Sequence, residues 1–548
     1  MVDTARDDDK GARFNAVFFI SLAIVAGIGA WGAISPDSMT GALLGFTDYF
    51  LQSISWYWLL LCTGFLLLSG YLAFGPYGNV RLGRDDERPE FATASWIAML
   101  FAGGMGAGLL FWGVAEPIYH FKSPPGMEGG TPAAARQAMV ITNLHWGLHA
   151  WSIYGVCALV IAYFTFRKGQ PSMISTPLRS LFPGKAGVPL RTGADVLGVL
   201  AVVFGLAGSL TMGTLQVRGG LDAVFATGAT GTVSYAIMGV LFACYMLSAT
   251  TGVDKGIKIL SNANMITAIA LLLMVIVFGP TRFIFETFVD SIGQYFASLP
   301  SMAFRLYPYE GLSSWTSGWT LTYLIWWLAW GPFVGIFVAR ISRGRTIREF
   351  CLGVIFVPTL FSILWFAAFG GTAIYIETFG GGGLAELIFA DVTSALFNFL
   401  DYFPAPEVLG AVACLLVFIF LVTSADSGTF VLSMMTSGGS LNPPTLMKMV
   451  WGVLVALLTV GTLYTGSVEV AKAMAISGAL PFSVVLLLQL VGFMREIRKE
   501  LPDRTRAPQV SERIVVGDGA PPPDDPPGAR AGGGGEKRPA PASPVVEP

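Results

Sequence analysis

The segment Thr320–Phe350, TLTYLIWWLAWGPFVGIFVARISRGRTIREF, decides how the rest of the chain is interpreted. It is apolar and long enough to cross a bilayer, which takes about 20 residues. In a helix, Trp326, Trp327 and Trp330 fall within an arc of about 100°. Gly331-Pro332 predicts a break in this helix, because proline has no N–H and its ring crowds the preceding turn. An aromatic wall beside a broken membrane helix predicts a binding site.

The composition of the whole chain predicts an all-α polytopic membrane protein. Of its 548 residues, 54% are hydrophobic and 12% are charged, whereas a soluble domain carries about 25% charge. The net charge of −2 gives no electrostatic support for nucleic-acid binding. The five cysteines are scattered through apolar runs, which is typical of small buried residues rather than of a metal site or a disulfide framework. We therefore expect no cofactor and no nucleic-acid partner.

Twelve apolar stretches predict twelve transmembrane helices within a membrane domain of residues 14–495. Their approximate bounds are 14–35, 53–75, 93–114, 138–166, 194–225, 232–250, 261–280, 318–341, 348–373, 406–437, 448–466 and 470–494. Between spans, Thr281–Met302 and Gly383–Tyr402 are amphipathic and are predicted to lie in the membrane interface. Residues 1–13 precede this domain, and the Pro/Gly-rich composition of residues 496–548 predicts a disordered tail.

Lysine and arginine predict the orientation of the chain in the membrane. They are concentrated in the loops that follow even-numbered spans, and the alternate loops carry few of them. The basic loops contain Arg81, Arg84, Arg88, Arg167, Lys168, Arg179, Lys185, Arg191, Lys255, Lys258, Arg340, Arg343, Arg345 and Arg348. These loops and both termini are therefore predicted to be cytoplasmic.

A second break is predicted in span three, which has four glycines within six residues: Gly103, Gly104, Gly106 and Gly108. Each glycine weakens a helix by roughly 1 kcal/mol relative to alanine and lets a ligand approach the backbone. Interrupted segments at matching positions of two halves indicate a transporter site between inverted repeats. The repeats would be spans three to seven (about 93–280) and eight to twelve (about 318–494). The alternative is that the glycines serve close helix packing.

Span four adds three aromatic residues, Trp146, Trp151 and Tyr154, within about 140° of one helical face. Aromatic faces with no nearby carboxylate suit a methylated onium cation. Such a cation has no N–H to donate, and ring quadrupoles hold it at about 0.5–2 kcal/mol per face. The alternatives are an interfacial tryptophan belt for Trp146 and ordinary core packing for any single ring.

Span ten contains two adjacent hydroxyl residues, Thr423 and Ser424, inside an apolar run. Together with freed backbone carbonyls they predict a site of hard oxygen ligands suited to Na⁺. The alternative is that these hydroxyls donate hydrogen bonds back to their own helix. Glu116 is expected near the outer surface at the end of span three, and Arg218 at the outer end of span five.

Four motifs resemble those of the betaine/carnitine/choline transporter (BCCT) family. They are GMGAGLLFWGVAEP (Gly104–Pro117), HWGLHAWSIYG (His145–Gly155), WWLAWGPFVGIFVARISRGRTIREF (Trp326–Phe350) and TSADSGT (Thr423–Thr429). The resemblance covers roughly residues 14–495. It implies secondary transport on a leucine-transporter-like fold, a 5+5 inverted repeat preceded by two extra helices. Relatives of the family are trimers, so the resemblance also implies a homotrimer in a bacterial cytoplasmic (inner) membrane.

The resemblance implies a set of site residues. The family's aromatic box maps onto Trp146, Trp151, Tyr154 and Trp327, with Trp326 and Trp330 lining the same pathway. The glycine-rich backbone is expected to meet the substrate at Gly104, Met105, Gly106 and Gly108. Choline-preferring relatives carry aspartate at the position of Gly108, so glycine there favours a zwitterion.

The resemblance also implies where the coupling ion binds. One sodium site uses carbonyls of Ala102 and Met105 with Phe420, Thr423 and Ser424. A second site involves Tyr154, Phe333 and hydroxyls of span five, for which the candidates are Ser209, Thr211 and Thr214. Arg218 is interpreted as interfacial, the alternative being that its cation replaces sodium, as in family members that exchange substrates.

Three functions remain open. The first is a sodium symporter that imports a betaine-like compatible solute, with glycine betaine favoured. The second is a proton-coupled or substrate-exchange transporter of the same fold for choline, carnitine or dimethylsulfoniopropionate. The third is a membrane sensor that binds such a ligand without moving it. We do not expect an enzyme, because the spans contain no recognisable metal-ligand cluster or nucleophile–base pair.

Overall fold

The computed structural model describes residues 14–104, 106–251, 254–440 and 442–501, without the side chains of residues 101–104, 251 and 254–258. The first ten helices are α1 (Ala16–Ile34), α2 (Pro36–Ser53), α3 (Ser55–Phe74), α4 (Thr93–Gly104), α5 (Ala107–Lys122), α6 (Pro132–Trp146), α7 (Leu148–Ala162), α8 (Val188–Phe225), α9 (Gly231–Thr251) and α10 (Asp254–Phe278). The others are α11 (Thr281–Met302), α12 (Ser313–Thr316), α13 (Thr322–Ile341), α14 (Ile347–Phe379), α15 (Leu384–Ala390), α16 (Ala395–Leu400), α17 (Pro406–Thr436), α18 (Thr445–Leu463) and α19 (Val468–Ile497).

Each of the twelve predicted spans corresponds to helix in the structure. Among the described residues, eleven helical segments are long and apolar enough to cross a membrane. The remaining span is the third, which consists of α4 and α5, and at 12 and 16 residues each is too short to cross alone. The chain is therefore an all-α polytopic membrane protein, in which two predicted spans, α1 and α3, precede the ten assigned to the 5+5 arrangement.

Span three is broken where the glycines predict it. Helix α4 ends at Gly104 and α5 begins at Ala107, and Gly106 between them is extended, with φ −149° and ψ 174°. Met105 lies outside the described residues. Span four is interrupted as well, which sequence analysis missed. Helix α6 ends at Trp146 and α7 begins at Leu148, with Gly147 at φ −101° and ψ −133°.

The break predicted at Gly331-Pro332 is wrong, because α13 is continuous from Thr322 to Ile341 with Pro332 inside it. Proline removes only one intrahelical hydrogen bond, and packing against neighbouring helices tolerates this in a membrane span. Here the packing is close. A Cβ on Gly331 would lie 2.9 Å from Cys157 Sγ, and one on Gly335 would lie 3.1 Å from Cys157 Cβ. The glycines thus fit α13 against α7 rather than opening the helix.

The segments between spans differ from the prediction in two places. Pro36–Ser53, for which the sequence predicted no element, forms α2. The predicted interfacial helix Thr281–Met302 is present as α11, whereas Gly383–Tyr402 contains α15, a 3₁₀ turn and α16. The Asp391 carboxylate accepts a hydrogen bond from the Thr393 N–H and starts that turn. The predicted disordered tail begins too early, because α19 continues to Ile497 and a 3₁₀ turn follows at Arg498–Glu500. Residues 1–13 and 502–548 lie outside the described residues, so disorder beyond residue 501 stays a prediction.

The interior of the helical bundle is built around α7 and α8. Every residue of α7 is buried. Helix α13 packs along α7, and α17 and α19 pack along α8. This arrangement places the tryptophans of α13 and the hydroxyl residues of α17 on the inside of the bundle, around one cavity.

Candidate substrate site

Four aromatic side chains from α6, α7 and α13 meet in the bundle interior, and we call them the aromatic cage: Trp146, Trp151, Tyr154 and Trp327. Trp327 lies at the centre. Its ring centroid is 5.5 Å from that of Trp146, 6.1 Å from that of Trp151 and 4.8 Å from that of Tyr154. The other three side chains are buried. The structure thus brings together the four residues that the resemblance assigned to one box.

The interruption at Gly147 orients the part of the aromatic cage that comes from span four. A Cβ at this position would lie 2.8 Å from the Tyr295 hydroxyl oxygen, so only glycine fits. That hydroxyl accepts a hydrogen bond from the Leu148 N–H at 3.0 Å and so satisfies one of the unpaired donors at the start of α7. Trp146 therefore projects from the end of one helix and Trp151 from the start of the next.

The cage borders a cavity of about 1,010 Å³. Five of the predicted aromatic residues line it: Trp146, Tyr154, Trp326, Trp327 and Trp330. Trp151 packs behind Trp327 and Tyr154 instead. The cavity extends from the aromatic cage to Arg340, Arg343 and Lys448. A small ligand held at the cage therefore has a passage toward one basic face of the protein.

The start of α5 adjoins the aromatic cage. Gly106 and Gly108 line the cavity, and a Cβ on Gly108 would lie 3.1 Å from Trp146 Cη2. A larger residue at position 108 would therefore press on the cage. For Gly104 only the helical backbone is described, and the predicted role of Met105 lies outside the described residues.

Some of the residues predicted to bind sodium line the same cavity. They are Phe333, Phe420, Thr423 and Ser424. Helix α17 is continuous here, so a break does not free its carbonyls. Thr423 Oγ1 donates to the carbonyls of Ile419 and Phe420, at 3.0 and 3.2 Å, which is the back-bonded alternative. Because Thr423 Oγ1 donates its proton in these bonds, its lone pairs can still coordinate a cation.

Apart from Tyr154 of the aromatic cage, the remaining residues of the two predicted sodium sites are not fully described or, with one exception, do not line the cavity. The side chain of Ala102 and all of Met105 lie outside what the structure describes. Of the three candidate hydroxyls of span five, Ser209 lines the cavity and accepts a hydrogen bond from Trp330 Nε1 at 3.1 Å. Thr211 is instead paired with Thr462. Arg218 is not among the residues that line the cavity, and its guanidinium approaches Gly466.

The expectation that no carboxylate lies near the aromatic rings is wrong. Glu116 is fully buried rather than near the surface. Its Oε2 accepts a 2.7 Å hydrogen bond from Trp146 Nε1, and its Oε1 lies 2.6 Å from His145 Nδ1. The signal in the sequence was a glutamate in an apolar run, which is costly in a membrane unless it is paired. Its partner, 29 positions along the chain, could not be read from spacing.

Three residues of metal-ligand type also converge at this point, although the sequence suggested no such cluster. Ligand atoms of Glu116, His120 and His145 all lie within 4.8 Å of one another. Both ring nitrogens of His145 are already within hydrogen-bonding distance of a partner, since Nε2 lies 3.0 Å from Thr320 Oγ1. Hydrogen bonding therefore accounts for the position of His145 without a metal ion.

A second aromatic layer covers the aromatic cage on the side away from the basic face. Trp112 and Tyr323 make an edge contact at 5.8 Å, and Trp319 stacks on Tyr323 at 6.2 Å. The buried ammonium of Lys472 lies 4.8 Å from the ring centroid of Trp112 and 5.4 Å from that of Trp319. Aromatic faces next to the site thus already hold a cation, in the geometry expected of cation–π contacts.

A polytopic helical bundle with an aromatic-lined cavity that leads to one face is typical of a membrane transporter. The model of the betaine/carnitine/choline family of transporters matches residues 16–502. The chain belongs to this family.

Several bacterial relatives are similar over most of their length. The glycine betaine transporter OpuD of Bacillus subtilis is 42% identical over 514 residues, which cover 91% of this chain and 99% of the relative. The ectoine/hydroxyectoine transporter of Virgibacillus pantothenticus is 41% identical over 493 residues, covering 90% and 98% of the two chains. A glycine betaine transporter of Acinetobacter baylyi is 37% identical over 496 residues, covering 90% and 75%.

Proposed function

We propose that this protein imports a betaine-like quaternary ammonium or sulfonium compatible solute, with glycine betaine as the favoured substrate. One observation carries the proposal: Trp327 contacts both Trp146 and Tyr154, and all three line a cavity large enough for such a solute. A methylated onium group has no N–H to donate, so aromatic faces are the groups that attract it. The names of the relatives from Bacillus subtilis and Acinetobacter baylyi support the same class of substrate.

A zwitterionic substrate also needs a partner for its carboxylate. The N-terminus of α5 is next to the aromatic cage, because Gly108 approaches Trp146. Helix N-termini carry unpaired N–H groups and a partial positive charge, both of which favour an anion. We propose that the onium group contacts the aromatic cage while the carboxylate meets the backbone near Gly106 and Gly108.

We propose Na⁺ symport as the energy source. Thr423 and Ser424 line the cavity that the aromatic cage borders, which supports an ion site within reach of the substrate. The alternative is a proton-coupled or exchange transporter for choline, carnitine or dimethylsulfoniopropionate. The observation that favours proton coupling is the buried contact between Glu116 and His145, because such a pair can hold a proton.

We further propose a homotrimer in the bacterial cytoplasmic membrane with both termini in the cytoplasm. The distribution of basic loops supports this orientation. Arg340, in the last turn of α13, and Arg343, in the basic loop that follows it, line the far end of the cavity. In this orientation the cavity leads from the aromatic cage toward the cytoplasm, as expected for an inward-facing step of alternating access.

The test is uptake of labelled glycine betaine into proteoliposomes with sodium and proton gradients imposed separately. We expect accumulation with an inward sodium gradient and none with a proton gradient alone. Accumulation with the proton gradient alone would replace the symport proposal by the alternative. Counterflow in vesicles preloaded with unlabelled solute distinguishes a transporter from a sensor, because a sensor does not exchange the two pools.

A further inference from the structure

We infer that Glu116 is a positioning residue that fixes Trp146 in the aromatic cage and increases the attraction of the cage for a cationic head group. This inference rests on the proposed function, because it concerns how the same site recognises an onium group. Glu116 is on α5 and does not line the cavity. It acts through Trp146, which does.

The first argument is geometric. The fully buried carboxylate of Glu116 faces Trp146 Nε1 on one oxygen and His145 Nδ1 on the other, at 2.7 and 2.6 Å. His120 Nε2 lies 3.5 Å from the second oxygen. A buried carboxylate is tolerated only when such donors surround it, and hydrogen bonds to an ionised group are among the strongest in proteins. The indole plane of Trp146 is therefore held in one orientation.

The second argument concerns His145, which links the carboxylate to another ring of the aromatic cage. The backbone carbonyl of His145 accepts a 3.0 Å hydrogen bond from Trp327 Nε1. Its imidazole is oriented by Glu116 on one side and by Thr320 Oγ1 on the other. It also stacks on Tyr323 at 4.9 Å with an interplanar angle of 10°. Two tryptophans of the cage are thus fixed by one hydrogen-bonded unit.

The third argument is electrostatic. An indole that donates its N–H to a carboxylate is polarised, and the face of its ring becomes more negative. The carboxylate also attracts a nearby cation directly, and low dielectric surroundings strengthen this attraction. Both effects act on a charged head group. Neither acts on a neutral head group of the same shape, and this difference separates the inference from a purely structural role.

The experiment compares glycine betaine with 3,3-dimethylbutanoate, in which a tert-butyl group replaces the trimethylammonium group. The variant Glu116→Gln keeps the size and one acceptor oxygen but removes the charge. Binding is measured with labelled glycine betaine on purified protein and by competition with 3,3-dimethylbutanoate, which we call the neutral analogue because its head group is uncharged, although both ligands carry the same carboxylate. We expect Glu116→Gln to weaken glycine betaine binding about five- to tenfold, in keeping with the energy of a cation–π contact. The affinity for the neutral analogue should change less than about twofold.

A matched control is Glu377→Gln. Glu377 is also a buried carboxylate, but it pairs with Lys122 at 2.7 Å and does not line the cavity, so we expect both affinities to stay at the wild-type values.

A second test is Glu116→Gln combined with Trp146→Phe, which has no N–H to donate. The effect of the glutamine should be smaller in that background, because the two residues act as one unit.

The outcomes separate the two proposals. If the wild-type protein does not prefer glycine betaine to the neutral analogue, the proposed function fails. If the wild-type protein does prefer glycine betaine, but Glu116→Gln weakens the binding of both ligands equally or of neither, the inference about Glu116 is overturned. If Glu116→Gln does not fold, Trp146→Phe alone carries the test. It should lower the preference for glycine betaine, and an unchanged preference would overturn the inference.

Discussion

Trp327 on α13 donates a 3.0 Å hydrogen bond from its indole nitrogen to the backbone carbonyl of His145. His145 is in the last turn of α6, just before the interruption at Gly147. Carbonyls in the last turn of a helix lack intrahelical partners, so the interruption supplies the acceptor that orients this ring. The break in one span and the aromatic wall on another therefore form one structural unit.

Removal of the central ring should weaken substrate binding. Trp327 contacts the other three rings of the aromatic cage, so Trp327→Ala should lower the affinity for labelled glycine betaine at least about tenfold. Trp327→Phe, which keeps an aromatic face, should cost less. Equilibrium binding to purified protein measures this. Trp56→Ala, at a side chain that is 57% exposed, is the control. Wild-type affinity in Trp327→Ala would remove Trp327 from the site.

Loss of the hydroxyls on α17 should raise the sodium concentration needed for transport. We expect Thr423→Val and Ser424→Ala each to raise the concentration for half-maximal uptake by roughly three- to tenfold, the equivalent of about 1 kcal/mol for a lost ligand. Thr429→Val is the matched control. Thr429 is a buried hydroxyl on the same helix that donates to the Ala425 carbonyl and does not line the cavity. A sodium dependence that is unaltered in both variants contradicts the proposed ion site.

The close contact of α13 with α7 should make Gly335 sensitive to added volume. A Cβ there would lie 3.1 Å from Cys157 Cβ and 3.3 Å from the Ala158 nitrogen. Gly335→Ala should therefore destabilise the protein by about 1–3 kcal/mol, as overpacking does. Gly239→Ala on α9, where no atom lies within 4 Å of the new Cβ, should leave stability unchanged or raise it by about 0.4–1 kcal/mol. Thermal unfolding in detergent compares them, and equal midpoints would argue against tight packing at Gly335.

The loop before α4 should lose order in acid. The backbone N–H of Arg84 and the side chain of Arg343 donate to the Glu87 carboxylate at 3.0 and 2.6 Å, and these contacts lower the pKa of Glu87. A carboxylate whose pKa is lowered in the folded state stabilises that state fully at pH values above its ordinary pKa. This stabilisation is lost as the pH falls through the lowered pKa. Hydrogen-exchange protection of residues 81–90 should be constant from about pH 7 to 5 and fall below about pH 4.

The control for this pH dependence is Glu87→Gln, which has no carboxylate to titrate. Hydrogen-exchange protection of the same loop should then be lower at neutral pH than in the wild type. It should also stay constant between about pH 5 and 3, because glutamine does not titrate. The same acid dependence in the variant would assign it to another group. The result bears on transport, because Arg343 also lines the end of the cavity.

The spans of this chain follow from its local sequence, but the interruptions within them do so only in part. The four glycines around Gly106 marked a true break, because no side chain there opposes an extended backbone. Gly331-Pro332 carried a similar signal but lies in a continuous helix, where Gly331 instead allows α13 to pack closely against Cys157 of α7. Gly147 gave the weakest signal of the three. Its conformation depends on the hydroxyl of Tyr295, nearly 150 positions away along the chain.

The sequence by itself determined that the chain is a helical membrane protein and where its spans lie. These properties follow from local hydrophobicity and helical periodicity, which depend on neighbours a few positions apart. The grouping of aromatic residues from different helices was expected only from the resemblance of their motifs to those of the family. Only the tertiary structure decided that α13 stays unbroken and that Trp151 packs behind Trp327 and Tyr154 rather than lining the cavity. It also decided that the Glu116 carboxylate lies directly behind Trp146. Each of these depends on a contact between residues distant in sequence, and no local pattern specifies which side chain will satisfy a buried charge or fill the space beside a glycine.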